Sequence, residues 1–141
     1  MAANPITSTD AAKGYLDSLD TLLGSGAKMV FYAGAVPADV NATAGTVLAT
    51  LTAAGQMFAA SAGTAGYATA TMDLLAPLSG TVGTGGTAAY YRLTTSGGTA
   101  HWQDTVGLLA SGEGLNLTNN VLVATEGIDV TALTLTQPTG E

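Results

Sequence analysis

From Asp10 to Leu23 the large apolar residues fall at Tyr15, Leu16, Leu19, Leu22 and Leu23, the i, i+3, i+4, i+7 spacing of one helix face. Ser8 or Thr9 is placed to cap the N-terminus, Asp10 puts a carboxylate in the first turn, and Gly24 or Gly26 can close the C-terminus. Gly14 works against this helix. After Gly26 the period drops to two. Residues 27–33 alternate Met29 and Phe31 against Lys28, Val30 and Tyr32, and predict a strand. Residues 34–45, with Pro37, Asp39 and Asn41, predict a long loop. Residues 46–52 set Leu48 on one side and Val47, Ala49 and Leu51 on the other; residues 57–61 and 67–72 follow as short strands split by Gly63 and Gly66.

Residues 73–86 are harder to place. Leu74, Leu75, Pro77, Leu78 and Val82 are too apolar for a solvated loop, while Gly83-Thr84-Gly85-Gly86 cannot form a regular element. Residues 87–95 predict a strand around Tyr90, Tyr91 and Leu93, and Gly97-Gly98 a two-residue hairpin with positive φ at both positions. The returning strand is 99–104, with His101 and Trp102. Strands at 115–118 and 121–125, turned by Asn119-Asn120, precede a last strand over 128–136 with Ile128, Val130, Ala132, Thr134 and Thr136 on one face; Pro138 stops it.

About eight short strands separated by turn signals, after a single helix, predict an all-β fold: an antiparallel β-sandwich, jelly-roll-like, with a short N-terminal helix and arm. The expected division is 1–26 arm and helix, 27–138 sandwich domain and 139–141 tail, with no internal repeat. The chain's 141 residues suit one domain with a single core.

Composition narrows the function. Ala, Gly and Thr make up about half of the residues, only 9% are charged, and the mean hydropathy is +0.35. That combination points to a folded chain rather than a disordered one. The net charge of −7 rests on ten acidic residues against Lys13, Lys28 and Arg92. Three scattered cations cannot line a phosphate backbone, and an acidic body repels nucleic acid and anionic membrane surfaces, so neither is an expected partner; a basic or neutral protein is. No apolar run approaches the ~20 residues of a bilayer span, and residues 1–9 lack the basic start and apolar stretch of a secretory signal. With no cysteine, there is no disulfide, thiol chemistry or Cys-based zinc site.

Candidate chemistry is sparse. His101 is the single histidine, and Asp104 three residues on would face away from it on a regular strand. No Gly-x-Ser-x-Gly elbow is present. Gly83–Gly86 has no following lysine and precedes a strand, so it does not make a phosphate loop. Two N-x-T sequons, at Asn41 and Asn116, mean little without a secretory signal. The acids are too dispersed for a calcium loop. The expectation is a protein that is not an enzyme and has no metal and no cofactor.

Several segments carry a likeness. Gly24-Ser-Gly-Ala-Lys-Met-Val-Phe-Tyr-Ala-Gly34 followed by Pro37, Tyr91-Arg-Leu-Thr-Thr-Ser-Gly-Gly98, Gly114-Leu-Asn-Leu-Thr-Asn-Asn120, and Ile128 to Thr136 closing on Gln137-Pro138 together resemble the capsid cement (decoration) proteins of tailed bacteriophages, of β-sandwich, jelly-roll type. The likeness covers roughly residues 20–138 in order, through turns and β-patterns; the N-terminal segment departs from it. The resemblance implies a structural virion protein, made in the host cytoplasm. It would bind the outer surface of the head, bridge neighbouring subunits of the major capsid protein, and sit there as a homodimer. Expected docking residues are Ala2, Asn4, Pro5 and Ile6 in the arm, Leu74, Leu75 and Leu78 in the apolar segment, and Tyr91 and Trp102. Two other readings remain open: a tail or neck component of such a virus, and a carbohydrate-binding or adhesin-like sandwich module.

Overall fold

The computed structural model describes residues 8–63, 69–108, 111 and 114–138. The N-terminal helix forms as its sequence signals predict: α1 spans Thr9–Leu23, Ser8 caps it by accepting from the Ala11 amide, and Gly24 ends it at φ +71°. Its buried side includes Ala12, Leu16, Leu19 and Leu23. Tyr15 and Leu22, at the flank of the apolar stripe, stay in solvent. Two carboxylates, the buried Asp20 and the exposed Asp17, staple α1 to the following chain. Asp20 accepts from Gln56 Nε2 at 2.9 Å and from the Phe58 amide at 3.4 Å, and Asp17 accepts from the Ser61 amide at 2.9 Å.

The main sheet has five strands in the order β2-β1-β6-β7-β8, from β1 (Lys28–Ala33), β2 (Thr46–Thr52), β6 (Tyr90–Thr94), β7 (Ala100–Leu108) and β8 (Leu115–Leu117). β1 lies inside the sheet, antiparallel to both neighbours, with Phe31 opposite Ala49 on β2 and Tyr91 on β6. Three two-stranded ladders complete the β structure. β3 (Thr69–Asp73) pairs with β11 (Thr134–Pro138), β4 (Leu78–Thr81) with β10 (Gly127–Val130), and β5 (Gly86–Thr87) with β9 (Val121–Leu122). The architecture is mostly β with one helix, sandwich-like and not closed into a barrel. One apolar core joins α1 (Leu16, Leu19, Leu23) to the sheet (Met29, Phe31, Leu51, Leu93) and the ladders (Met72, Val130, Leu135). The helix is therefore part of the same packing unit as the strands. Each large side chain fully buried there is worth roughly 1.5–3 kcal/mol.

Strand boundaries differ from the sequence pattern where the ladder is irregular. Along β1–β2 the register shifts between Phe31 and Tyr32, so Leu48 is an extra residue, and Leu48 and Ala49 both reach the core instead of alternating. The hairpin after β6 has a three-residue loop, Ser96-Gly97-Gly98: Thr95 and Thr99 pair, the Gly98 amide donates to the Thr95 carbonyl, and only Gly98 has positive φ (+98°). Residues 57–61 contribute single bridges, Phe58 to Leu74 and nearby Ala62 to Thr71, rather than a strand. β4 forms within the apolar segment 73–86, and β7 runs four residues past Asp104 to pair in parallel with β8. The expected last strand is two, β10 and β11, because the buried side changes phase after Val130: Ile128 and Val130, then Leu133 and Leu135, face the core. With these breaks, the described residues form eleven strands where about eight were expected.

Candidate functional site

The sheet's outer face is a second, smaller core made of Val30, Tyr32 and Tyr90, with Ala44 and Ala89 packed against it. Tyr32 and Tyr90 are cross-strand partners on β1 and β6, and their rings stack 5.0 Å apart at 11°. Arg92 lies over both, 5.7 and 5.9 Å from the ring centroids. The loop 34–45 closes this face, held by side chains from the sheet. Arg92 Nη2 donates to the carbonyls of Ala42 (2.9 Å) and Asp39 (3.4 Å), Gln103 Nε2 donates to the Pro37 carbonyl (2.7 Å), and the Gly45 amide donates to Tyr90 Oη (2.7 Å). One of the three cations is thus turned inward onto backbone oxygens, leaving Lys13 and Lys28 as the other basic side chains.

The expected docking residues separate. Leu75 is 60% exposed, held in place by its amide, which donates to the Met57 carbonyl, while Leu74 is half-buried against the core. Leu78 is buried on β4 and Tyr91 on β6; neither can meet a partner in this fold, because both side chains complete the core. Trp102 is half-buried and packs on the same core. Tyr91 Oη and Trp102 Nε1 are enclosed without a well-formed hydrogen bond. Burial pushes the Tyr91 phenol far above its usual value, the neighbouring Trp102 N–H works against that, and Asp104 adds to the rise. Ala2, Asn4, Pro5 and Ile6 lie outside the described residues.

Among the described residues, two surface openings lie beside the exposed apolar side chains of Leu75 and of Tyr15 and Leu22. The first, about 370 Å³, runs between residues 52–57 and 75–79, beside Leu75 and Pro77, and its lining carries no charged side chain. The second, about 130 Å³, is a notch between α1 and β7 lined by Tyr15, Ser18, Leu19, Leu22 and His101. Tyr15 and Leu22 are 53% and 60% exposed there. A register shift between Leu93 and Thr94 leaves His101 without a cross-strand partner, which frees it to border α1. Sequence reasoning missed this notch, although one signal was present: five large apolar residues span a wider arc than a helix packed on one side can bury. Among the described residues, no three His, Asp or Glu side chains are grouped to hold a metal ion.

The chain matches no family model, no curated protein and no solved structure.

Proposed function

We propose that the chain is a structural virion protein, a cement protein that binds the outside of a tailed-bacteriophage head and bridges neighbouring subunits of the major capsid protein. The reading rests on the segments that resemble such proteins and on one structural observation. Tyr15 and Leu22 on α1, and Leu75 in the bend between β3 and β4, stand out in solvent beside two openings that share no lining residue. Their backbone is already held, by α1 and by the Leu75 amide bond to Met57, so docking need not order the chain beneath them, which favours contact with another protein. Two separate contacts also suit a bridge. Each would be modest alone, but a copy held at one subunit meets the next at high effective concentration. An acidic body with one cation turned inward favours a basic or neutral capsid surface.

The test is to prepare heads lacking this chain, add the purified protein back, and image the particles. Density on the outer surface between capsid subunits, with greater resistance to heat or osmotic shock, is the expected result. Heads equally robust without it, with no added density, would overturn the reading.

A further inference from the structure

A third opening, about 200 Å³, lies between β10 and the stretch 117–123, which runs from the end of β8 through β9. Its buried lining is apolar: Val82, Leu117, Leu122 and Ile128. Val121 and Val123, also in the lining, are 52% and 51% exposed. β10 ends its ladder and pairs with β4 alone. The Val82 amide donates to the carbonyl of Glu126 opposite it, at 2.9 Å, which sets the phase of the pairing. Antiparallel partners exchange hydrogen bonds at every second residue. Ile128 therefore bonds Gly80, while Gly127 and Asp129 turn their amides and carbonyls to the other edge. Both residues are exposed and line the opening, whereas no residue of β4 does.

The turn that leads into β10 is strained. Thr125 and Glu126 both oppose Val82, a bulge, and Thr125 takes φ +73° where such a bulge usually has glycine. A β-branched residue is costly there and persists only where its surroundings hold it. Here the Thr125 amide donates to the Val82 carbonyl (2.8 Å) and the Glu126 amide to the Val123 carbonyl (3.1 Å). The edge is thus presented on a fixed backbone. Two carboxylates, Glu126 and Asp129, line the opening, and none of the chain's three cations does. At about 200 Å³ it is smaller than the roughly 300–1,000 Å³ of small-molecule sites.

We propose that the free edge of β10 docks an extended polypeptide segment in which apolar residues alternate with lysine or arginine. Laid along Gly127 and Asp129, the segment gains main-chain hydrogen bonds. Its apolar side chains enter the opening on the side of Ile128, and its cations fall on the exposed face beside Asp129. This inference does not depend on the cement reading, since the opening shares no lining residue with the other two.

The test titrates the ¹⁵N-labelled full chain with a blocked seven-residue peptide alternating valine and lysine. Saturable shifts at Val121, Val123, Gly127 and Asp129 are expected, with slower hydrogen exchange at the Gly127 and Asp129 amides. The same peptide methylated at every backbone nitrogen should not bind. Glutamate in place of lysine should weaken binding about tenfold, and Asp129→Lys should reverse that preference. Shifts that never saturate, that fall away from the opening, that survive backbone methylation, or whose charge preference Asp129→Lys leaves unchanged would overturn the proposal. Two other results would overturn it as well. A response of the same amides to dilution of the protein alone would assign the edge to a second copy, and a response to removal of residues 1–7 would assign it to the chain's own N-terminal segment.

Discussion

Arg92 and Gln103 are direct cross-strand partners on β6 and β7, and Arg92 Nε donates to Gln103 Oε1 at 2.9 Å. The bond orients both side chains toward the same loop: Gln103 reaches the Pro37 carbonyl and Arg92 the carbonyls of Asp39 and Ala42. The loop has no regular secondary structure of its own between β1 and β2, so these bonds fix its path. Gln103→Ala removes one and releases the guanidinium that makes the others. The expected loss is about 1–2 kcal/mol. Hydrogen exchange should rise in residues 34–45 while β1 and β2 stay protected, because their ladder and core contacts are untouched.

Asp20 does for the helix what Arg92 does for the loop. Its carboxylate is buried at the margin of α1, accepting from Gln56 Nε2 and the Phe58 amide. Asp20→Ala leaves both donors without an acceptor in a confined place, so a loss of about 1–3 kcal/mol is expected in urea unfolding. Asp17→Ala, whose partner Ser61 is half-buried, is expected to cost less.

Gly14 and Gly45 should respond oppositely to the same substitution. A Cβ on Gly14 meets nothing within 4 Å, and the residue is in the interior of α1, so Gly14→Ala is expected to stabilise by about 0.5–1 kcal/mol. A Cβ on Gly45 would overlap the Ala33 carbonyl oxygen, a backbone atom that cannot step aside, and would disturb the Gly45 amide bonded to Tyr90. Gly45→Ala should destabilise by about 1–3 kcal/mol. Thermal unfolding of the two variants checks both signs.

Tyr91 gives the fold an alkaline weakness. In the unfolded chain its phenol ionises near its ordinary value of 10.0, but burial keeps it protonated in the fold. Above pH 10 the unfolded state therefore binds fewer protons than the folded one, and stability falls as pH rises, by about 1.4 kcal/mol per unit for this one group. Tyr32, also raised, acts in the same direction. Urea unfolding from pH 9 to 12 should show the decline, and Tyr91→Phe should make it shallower.

Local signals were legible in the sequence, and long-range ones were not. Ser8, Asp10 and Gly24 mark the ends of α1 because caps are decided by neighbouring residues. The all-β class follows from the spacing of turns. The bulge at Leu48, the unpaired His101 and the phase change after Val130 depend on which strand lies alongside, which no single segment encodes. The same limit explains the docking residues. Leu75 and Leu78 are equally apolar in sequence, but pairing of β4 with β10 buries Leu78 and leaves Leu75 outside. Tyr90 and Tyr91, adjacent on β6, face opposite sides of the sheet, and the alternation alone would leave the outer one in solvent; the loop 34–45 covers it, so both are buried.

The two apolar openings can be separated by substitution. Leu75→Ser at one, and Tyr15→Ser with Leu22→Ser at the other, alter exposed side chains and should each change stability by no more than about 0.5 kcal/mol per site. On capsid shells the effects should be large. If each opening meets a different subunit, losing either converts a two-point attachment into a single weak one, and retention should fall about a hundredfold or more. If both meet the same subunit, the losses should be smaller, near tenfold each, and should combine additively as free energies. Sedimentation of shells with bound protein, for each variant and for the combination, distinguishes the two arrangements. Full occupancy with both openings altered would move the contact away from these surfaces, making residues 1–7 the next segment to delete.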